Sequence, residues 1–291
     1  MSRRYMVVDV FTADVTCGNP VAVVLDAGGL DARAMQHIAR WTNLSETTFV
    51  LPPGDSSADY RVRIFTPGSE LPFAGHPTLG TAHAVVSAGR APSRGSPLVQ
   101  ECGAGLITVE YDARNGVTDC RLRLPAARFA DVPGDAIDEL QAAIGAPIDG
   151  SVGPACVNVG PTWLVARLES AAALLGLQPD MGRLASLERR LGVTGTTLFA
   201  ASAGGRDVDI EVRSFVPSQG IAEDPVCGSG NGSVAAFRRE RGLLAAGHAE
   251  YVARQGRCVG RDGIVRVTLE PSGEIWIGGA CVTAVEGVLH A

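Results

Sequence analysis

The chain has 291 residues, enough for one large domain or two of medium size. Hydrophobic residues make up 46% and charged residues 19% of the sequence, so there is ample apolar material for a core and no case for a disordered chain. The formal net charge is −6 and no run of basic residues occurs. Nucleic acids and anionic membranes are therefore not expected as partners, because both select for clustered positive charge.

All 25 basic side chains are arginine, since the sequence contains no lysine. This excludes Schiff-base catalysis through lysine and a lysine-bearing phosphate loop. The seven cysteines are scattered, odd in number and never in C-x-x-C spacing, which favours reduced thiols over disulfides or zinc. We expect no metal site. The first residues lack a signal-peptide pattern and no apolar run is long enough to span a bilayer, so we expect a cytoplasmic protein.

The hydrophobic pattern predicts strands that alternate with a few helices. Strands are predicted at Met6–Phe11, Val21–Leu25, Arg61–Phe65, Leu106–Val109, Trp163–Ala166, Val208–Val212 and Gly263–Val267. Asp31 is a typical N-cap for a helix that continues to Arg40. Two further helices are predicted to begin in glycine-rich turns, over Pro77–Val86 and Asn231–Arg241. Tyr111–Gly116 indicates a hairpin or a domain boundary.

An internal repeat relates the two halves of the chain. The V-R-x-F-x-P element at Val62–Pro67 recurs 150 residues later as Val212–Pro217. The glycine turn that follows recurs 153 residues later, with Gly228 in the place of Gly75. Two matches in the same order at nearly the same offset indicate a duplication. Two similar halves would create a cleft between them, with both helix N-termini available to face it.

The two predicted helix starts suit an anionic ligand. A helix N-terminus exposes unpaired N–H groups and carries partial positive charge, so it can hold a carboxylate without lysine. Gly75 and Gly228 allow the backbone to approach a ligand, and Pro77 fits a first helical turn because its missing N–H is not needed there. The alternative is an ordinary helix-entry turn. Gly228–Ser233 lacks the G-x-G-x-x-G spacing, so it does not predict a dinucleotide site.

Four side chains near these turns could carry chemistry. Glu46 lies in an uncharged stretch before an apolar strand, where lost solvation would raise its carboxyl pKa and suit it to proton transfer. His76 could bind substrate or orient a side chain, and Asp224, held extended before a proline, could position either. Cys227 near a positive helix end would have a lowered pKa and could act as a thiolate base. The alternatives are a surface or capping glutamate, a structural histidine, a turn aspartate and an inert thiol.

In their order along the chain, these segments resemble the phenazine-biosynthesis isomerase family (PhzF-like proteins), which is related to diaminopimelate epimerase. The stretches that carry the resemblance are Cys17–Val24, Leu44–Phe49, Phe65–Gly80, Arg213–Pro217, Glu223–Gly230, Gln255–Gly256, Gly260–Arg261 and Gly278–Gly279. They cover most of the chain.

The resemblance implies an α+β fold of two pseudo-symmetric halves, each a curled mixed β-sheet or barrel around a central α-helix. We place these halves at residues 1–116 and 117–291, with the last strand free to return to the first half. The active site would lie in the cleft between them. The resemblance also implies a homodimer and cofactor-independent proton transfer on a small carboxylic acid.

The same resemblance assigns roles to residues of this chain. Glu46 is then the general acid/base, with His76 and Asp224 as the other catalytic residues. The expected substrate-binding positions are Gly75, Pro77, Cys227, Gly228 and Ser229.

The related epimerases use two cysteines, one at each glycine turn, whereas this chain has Ala74 at the first turn and Cys227 at the second. Phenazine-type members generally have a small or hydroxyl residue where Cys227 stands. Cys227 thus departs from the isomerase pattern, while Ala74 departs from the two-cysteine pattern and counts against that mechanism. The resemblance favours an isomerase that shifts a proton within a small unsaturated or cyclic carboxylic acid, in specialised metabolite biosynthesis. The alternatives are an amino-acid-type epimerase or racemase that uses Glu46 and Cys227, and a non-catalytic protein that binds small carboxylates.

Overall fold

The computed structural model describes residues 2–203, 207–244, 247 and 249–291. The chain divides into two compact units. Unit 1 takes in the chain up to Arg123 together with Gly278–Ala291, and unit 2 is Leu124–Ile277. Among the described residues, no helix is long and apolar enough to cross a bilayer.

Strands dominate both units. The elements up to the end of the first segment of unit 1 are β1 Ser2–Val10, β2 Asn19–Val24, α1 Ala32–Thr42, β3 Thr47–Leu51, β4 Tyr60–Phe65, β5 Glu70–Leu71, α2 Gly75–Ser87, β6 Leu98–Cys102, β7 Gly105–Arg114 and β8 Val117–Arg123. They are followed by β9 Arg128–Asp131, α3 Gly134–Ile144, β10 Ala155–Asn158, β11 Thr162–Arg167, α4 Ala171–Gly176, α5 Met181–Leu191, β12 Gly195–Ala201, β13 Ile210–Val216, β14 Ile221–Asp224, α6 Gly228–Glu240, β15 Ala249–Gln255, β16 Gly263–Leu269 and β17 Ile275–His290. Short 3₁₀ turns lie at Pro217–Gln219 and Arg257–Val259.

Unit 1 is a closed barrel around one helix. Strands pair in the order β1, β2, β3, β4, β6, β7, β8 and β17, and β17 pairs back onto β1. Helix α2 packs on β1, β2, β3, β7 and β8, and its residues from His76 to Val85 are all buried. A helix buried all round must satisfy its polar side chains internally. Accordingly, the His83 imidazole lies 2.8 Å from the hydroxyls of both Thr118 and Thr283.

Unit 2 repeats the pairing pattern of unit 1. In unit 1, antiparallel and parallel pairs alternate, beginning with an antiparallel pair, through β1–β2, β2–β3, β3–β4, β4–β6 and β6–β7. In unit 2, the same alternation of antiparallel and parallel pairs runs through β10–β11, β11–β12, β12–β13, β13–β15 and β15–β16. Helix α6 packs on β10, β11, β12 and β16. The predicted α+β fold of two similar halves, each with a mixed sheet around a helix, is confirmed.

The repeated arginine makes the same pair of contacts in each unit, partly exposed in unit 1 and buried in unit 2. Arg63 forms a two-pronged pair with Glu70, at 2.7 and 2.6 Å, and stacks over the phenylalanine two residues further on. Arg213 pairs in the same way with Glu223, at 3.0 and 2.7 Å, and also stacks over the following phenylalanine. In both units the glutamate belongs to the short strand that precedes the buried helix. The repeat therefore fixes the hairpin that leads into each helix.

Most elements predicted from the pattern are present, and three helices were missed. Asp31 caps α1, where its Oδ1 accepts a hydrogen bond from Ala34 N at 2.7 Å. Tyr111–Gly116 contains the β7–β8 hairpin turn.

Helices α3, α4 and α5, which the sequence analysis missed, lie in unit 2. They share one apolar cluster with β10, β11, β12 and β13. Helix α3 has no side-chain N-cap bond and α4 is only six residues long, whereas α5 begins at an Asp180 N-cap that the sequence analysis overlooked.

The boundary between the units follows Arg123, while the sequence placed it after Gly116. The difference arises because β8 completes a hairpin with β7, so that Arg114 pairs with Val117 within unit 1. The segment Gly278–Ala291 belongs to unit 1 because β17 pairs with β1 along the whole length of that strand.

Candidate functional site

Glu46 and His76 lie in contact within unit 1. Glu46 is the residue before β3, and His76 is the second residue of α2. His76 Nε2 lies 3.5 Å from Glu46 Oε2, and the side chains are only 7% and 15% exposed, respectively. The sheet brings them together because β3 lies in the barrel wall and α2 packs on β3. The predicted pair of catalytic residues therefore exists as a contact in this unit.

Burial determines the charge of His76. Desolvation lowers the pKa of this imidazole to about 3, so the ring is neutral near pH 7. One ring N–H donates to the backbone of Pro20, which can only accept through its carbonyl oxygen. Nε2 makes no hydrogen bond within the described part of the chain, so Nδ1 is the nitrogen that carries the proton. Nε2 therefore presents its lone pair to the Glu46 carboxyl group.

The first turn of α2 offers backbone donors beside this pair. Ala74, at the N-cap, makes no side-chain capping bond. Pro77 has no N–H, so the N–H groups of Gly75 and His76 are the donors at this helix end that the helix itself does not use. Such a terminus carries partial positive charge and suits a carboxylate or a developing enolate oxygen.

The start of α6 forms a second polar cluster, in unit 2. Cys227 is the N-cap, and its Sγ accepts a hydrogen bond from Gly230 N at 3.3 Å. Ser229 Oγ accepts a hydrogen bond from Trp163 Nε1 at 3.1 Å and lies 3.7 Å from the Cys227 sulfur. The backbone N–H of Val226 donates to Asp224 Oδ1 at 3.2 Å.

The amide of Gln255 ties this turn together. Its Oε1 accepts from Cys227 N at 3.1 Å and from Asn231 Nδ2 at 2.8 Å, while its Nε2 donates to the Asp224 carbonyl at 2.9 Å. Both Gln255 and Asn231 are fully buried. These buried hydrogen bonds hold the backbone of residues 224–227 in one conformation, although Asn231 Oδ1 has no partner within the described part of the chain.

The pKa that we expected for Cys227 was wrong. The sequence placed this thiol at a positive helix end and predicted a lowered pKa. In the structure, burial raises the pKa of the thiol well above its usual value, and the nearby negative charge of Asp224 raises it further. These effects outweigh the hydrogen bonds from Gly230 and Ser229, which favour the thiolate. Cys227 is therefore a protonated thiol at neutral pH.

The predicted site residues thus fall into two groups. Unit 1 holds Glu46, Gly75, His76 and Pro77, and unit 2 holds Asp224, Cys227, Gly228 and Ser229. Sequence reasoning missed three groups that orient them: the Pro20 carbonyl, the Trp163 indole and the Gln255 amide. Pro20 and Gln255 lie in segments that carried the family resemblance, whereas Trp163 was only part of a predicted strand.

No group of three or more histidine, cysteine, aspartate or glutamate side chains suited to a metal ion occurs in residues 2–203, 207–244, 247 and 249–291.

The sequence model of the phenazine biosynthesis-like protein family (PhzC-PhzF) matches residues 8–287. The chain belongs to this family. Antisense-enhancing sequence 1 of Schizosaccharomyces pombe is 37% identical to it over 288 residues, which cover 96% of each chain. The trans-2,3-dihydro-3-hydroxyanthranilate isomerase of Pseudomonas aeruginosa is 35% identical over 274 residues, which cover 94% of this chain and 92% of the relative.

Solved structures agree with this membership. The phenazine biosynthesis protein of the PhzF family from Bacillus anthracis superposes with a TM-score of 0.90 at 27% identity, over 100% of both chains. Several relatives in this family are named as isomerases. This chain is therefore an isomerase.

Proposed function

We propose that this protein is a cofactor-independent isomerase that moves a proton between two carbons of a small unsaturated or cyclic carboxylic acid. Glu46 is the general acid/base. The observation that carries the proposal is the buried contact between Glu46 Oε2 and Nε2 of a neutral His76.

The chemistry needs a base that becomes an acid within one turnover. The Glu46 carboxylate removes a proton from an acidic C–H bond, and the electron pair delocalises into the unsaturated acid. The new Glu46 carboxyl O–H can donate to the lone pair of His76 Nε2, 3.5 Å away, while the substrate rearranges. Glu46 then returns the proton to a different carbon, so no proton or electron is gained or lost overall.

The neutral state of His76 matters to this cycle. An imidazolium beside Glu46 would stabilise the carboxylate and weaken it as a base. A neutral ring with its lone pair directed at Glu46 favours the protonated carboxyl group instead. The tautomer held by the Pro20 carbonyl thus leaves the Glu46 carboxylate a stronger base than it would be beside an imidazolium.

The proposal assigns the remaining residues to substrate binding and orientation. The N–H groups at Gly75 and, by the repeat, at Gly228 are suited to a carboxylate or a developing enolate oxygen. Ser229 contributes a hydroxyl whose oxygen is oriented by Trp163. Asp224 is the third catalytic residue, and Pro77 and Cys227 line the binding surface.

Deuterium exchange tests the proposal directly. The first substrate to try is trans-2,3-dihydro-3-hydroxyanthranilate, the compound named for the Pseudomonas aeruginosa relative, followed by other cyclic and amino carboxylic acids. In D₂O, NMR should show one C–H hydrogen exchanged or transferred by the native enzyme. Glu46→Gln should slow this by about 10²- to 10⁴-fold, the usual share of a general acid/base. Glu286→Gln, which removes an exposed carboxylate paired with Arg4, is the matched control. Full turnover by Glu46→Gln would rule out the assignment.

A further inference from the structure

Unit 1 contains a cavity that the proposed catalysis does not use. It has a volume of about 550 Å³ and opens at the end of the barrel where α2 finishes. Val85, in the last turns of α2, is part of its lining. His76 is nine residues earlier in the same helix, which corresponds to about 13 Å along the helix axis. The cavity and the Glu46–His76 contact therefore lie at opposite ends of the buried helix.

Arg3 is the unusual group in this cavity. It lies on β1, is 6% exposed, and is part of the lining. Its Nη1 donates to the carbonyl oxygens of Asp26 and Gly28, the latter at 2.8 Å. Its Nε is buried and has no hydrogen-bond partner within the described part of the chain. Nη2 also makes no hydrogen bond within the described part of the chain, and it is the donor left for a carboxylate in the cavity.

The other charges around the cavity are already balanced. Arg90 pairs with Asp26 at 2.7 Å, and Asp59 pairs with Arg94 at 2.5 Å. Arg3 takes part in no ion pair among the described residues. A buried guanidinium that has carbonyl partners and no counter-charge is destabilising, and a bound anion would offset that cost.

Part of the lining is apolar, and the volume suits a small molecule. Leu25, Ala27, Val50 and Pro52 contribute aliphatic wall, and 550 Å³ lies within the common range of ligand pockets. The C-terminal carbonyls of α2 do not oppose an anion strongly, because the N–H groups of residues 88, 89 and 90 cap them. An apolar wall with a single uncompensated cation matches a compound with an apolar body and one negative charge.

We propose that this cavity binds a small organic monocarboxylate, with its carboxylate on Arg3 and its apolar body against the aliphatic wall. The site is separate from the proposed catalytic residues, and it stands whether or not Glu46 performs proton transfer.

The probe for this site is benzoate, with benzamide as its uncharged counterpart. The full-length protein is titrated with each while the ¹H–¹⁵N signal of the Arg3 Nε–H group is followed by NMR. Benzoate should give a saturable shift of that signal, and benzamide should give none at the same concentration. Absence of a benzoate-dependent shift, or an equal shift with benzamide, would overturn the proposal.

Variants locate the binding and separate it from folding. Arg3→Met keeps the apolar stem and should raise the Kd for benzoate at least 10-fold. Arg4→Met is the matched control, since Arg4 is the next residue of β1 and pairs with Glu286 at 2.6 Å. Pro53→Glu places a negative charge on the exposed rim without touching the core and should also raise the Kd at least 10-fold.

Two outcomes decide between the proposal and a structural arginine. Weaker binding in both Arg3→Met and Pro53→Glu, with native affinity in Arg4→Met, supports the site. A lowered Tm in Arg3→Met with unchanged benzoate affinity in Pro53→Glu overturns it, because Arg3 would then serve only the carbonyls it bonds. Glu46→Gln should bind benzoate in this cavity with native affinity, so that failure of the catalytic proposal leaves this result unaffected.

Discussion

His76 Nε2 faces Glu46 Oε2 at 3.5 Å, while the other ring nitrogen is held by the Pro20 carbonyl. This relationship fixes both the charge and the tautomer of the ring. Because burial lowers the pKa of His76 to about 3, its ¹⁵N resonances should show a neutral Nδ1–H tautomer throughout the range from pH 8 to pH 5. Long-range ¹H–¹⁵N NMR measures this. The exposed His37 serves as the internal reference for an accessible ring, and titration of His76 near pH 6.5 would contradict the interpretation.

Cys227 should be dispensable for the proton shift. Burial and the charge of Asp224 raise the pKa of its thiol, so it is a poor base at neutral pH. Cys227→Ser keeps a polar N-cap, and we expect its turnover to stay within about tenfold of native, under about 1.4 kcal/mol in activation free energy. An epimerase that pairs Glu46 with Cys227 predicts the opposite result. Loss of turnover in Cys227→Ser, with solvent deuterium taken up at an inverted stereocentre, would establish that alternative.

The indole of Trp163 should tune substrate binding through Ser229. Its Nε1–H donates to Ser229 Oγ at 3.1 Å, which leaves the serine hydroxyl proton to point elsewhere. Trp163→Phe removes one hydrogen bond worth about 1 kcal/mol, so kcat/KM should fall about fivefold. Trp41→Phe is the control, because that indole is 72% exposed.

A double substitution tests whether Trp163 acts through Ser229. If it does, Trp163→Phe should have little further effect in a Ser229→Ala background, since the two groups share one interaction. Fully additive losses in kcat/KM would show that the tryptophan acts by packing alone.

The free energy of unfolding should fall as the pH drops below about 6.5. Burial lowers the folded-state pKa of His76 to about 3 and that of His83 to about 4, against an unperturbed value of 6.5. The unfolded chain therefore binds these protons first, and acid favours unfolding. Each histidine contributes up to about 1.4 kcal/mol per pH unit in this window.

Urea unfolding between pH 6.5 and pH 5 measures that slope. His83→Gln should reduce it by about half, whatever its effect on stability at pH 7. A slope that is the same in the native protein and in His83→Gln would contradict the assignment of this proton uptake to the buried rings.

Gly80 permits α2 to lie against the barrel wall. A Cβ at this position would lie 2.3 Å from Val21 Cγ1 and 2.9 Å from Val10 Cγ2. Gly80→Ala should therefore destabilise the protein by about 1–3 kcal/mol, despite the better helix propensity of alanine. Gly134→Ala, at a helical position with open space around it, is the control. Adding Val21→Ala to Gly80→Ala should restore part of the loss, and its failure to do so would point to a different clash.

The elements and the duplication were accessible from the sequence because their signals are local. The N-cap at Asp31, the strand patterns and the repeated V-R-x-F-x-P element each occupy a few consecutive residues. The shared pairing order of the two units follows from that repeat. The unit boundary after Arg123 depends on β8 pairing with β7, which the turn residues before β8 do not record.

The sequence by itself determined the two α+β halves, the order of their motifs, the absence of lysine chemistry and the residues from which a site could be built. Tertiary structure alone decided the protonation states of those residues. Cys227 sits at a helix end, as its sequence position implied, yet burial and Asp224 make it a neutral thiol. The histidine at the start of α2 is neutral because the barrel encloses it. Desolvation depends on every chain segment packed around a group, and a linear pattern records only its neighbours along the chain.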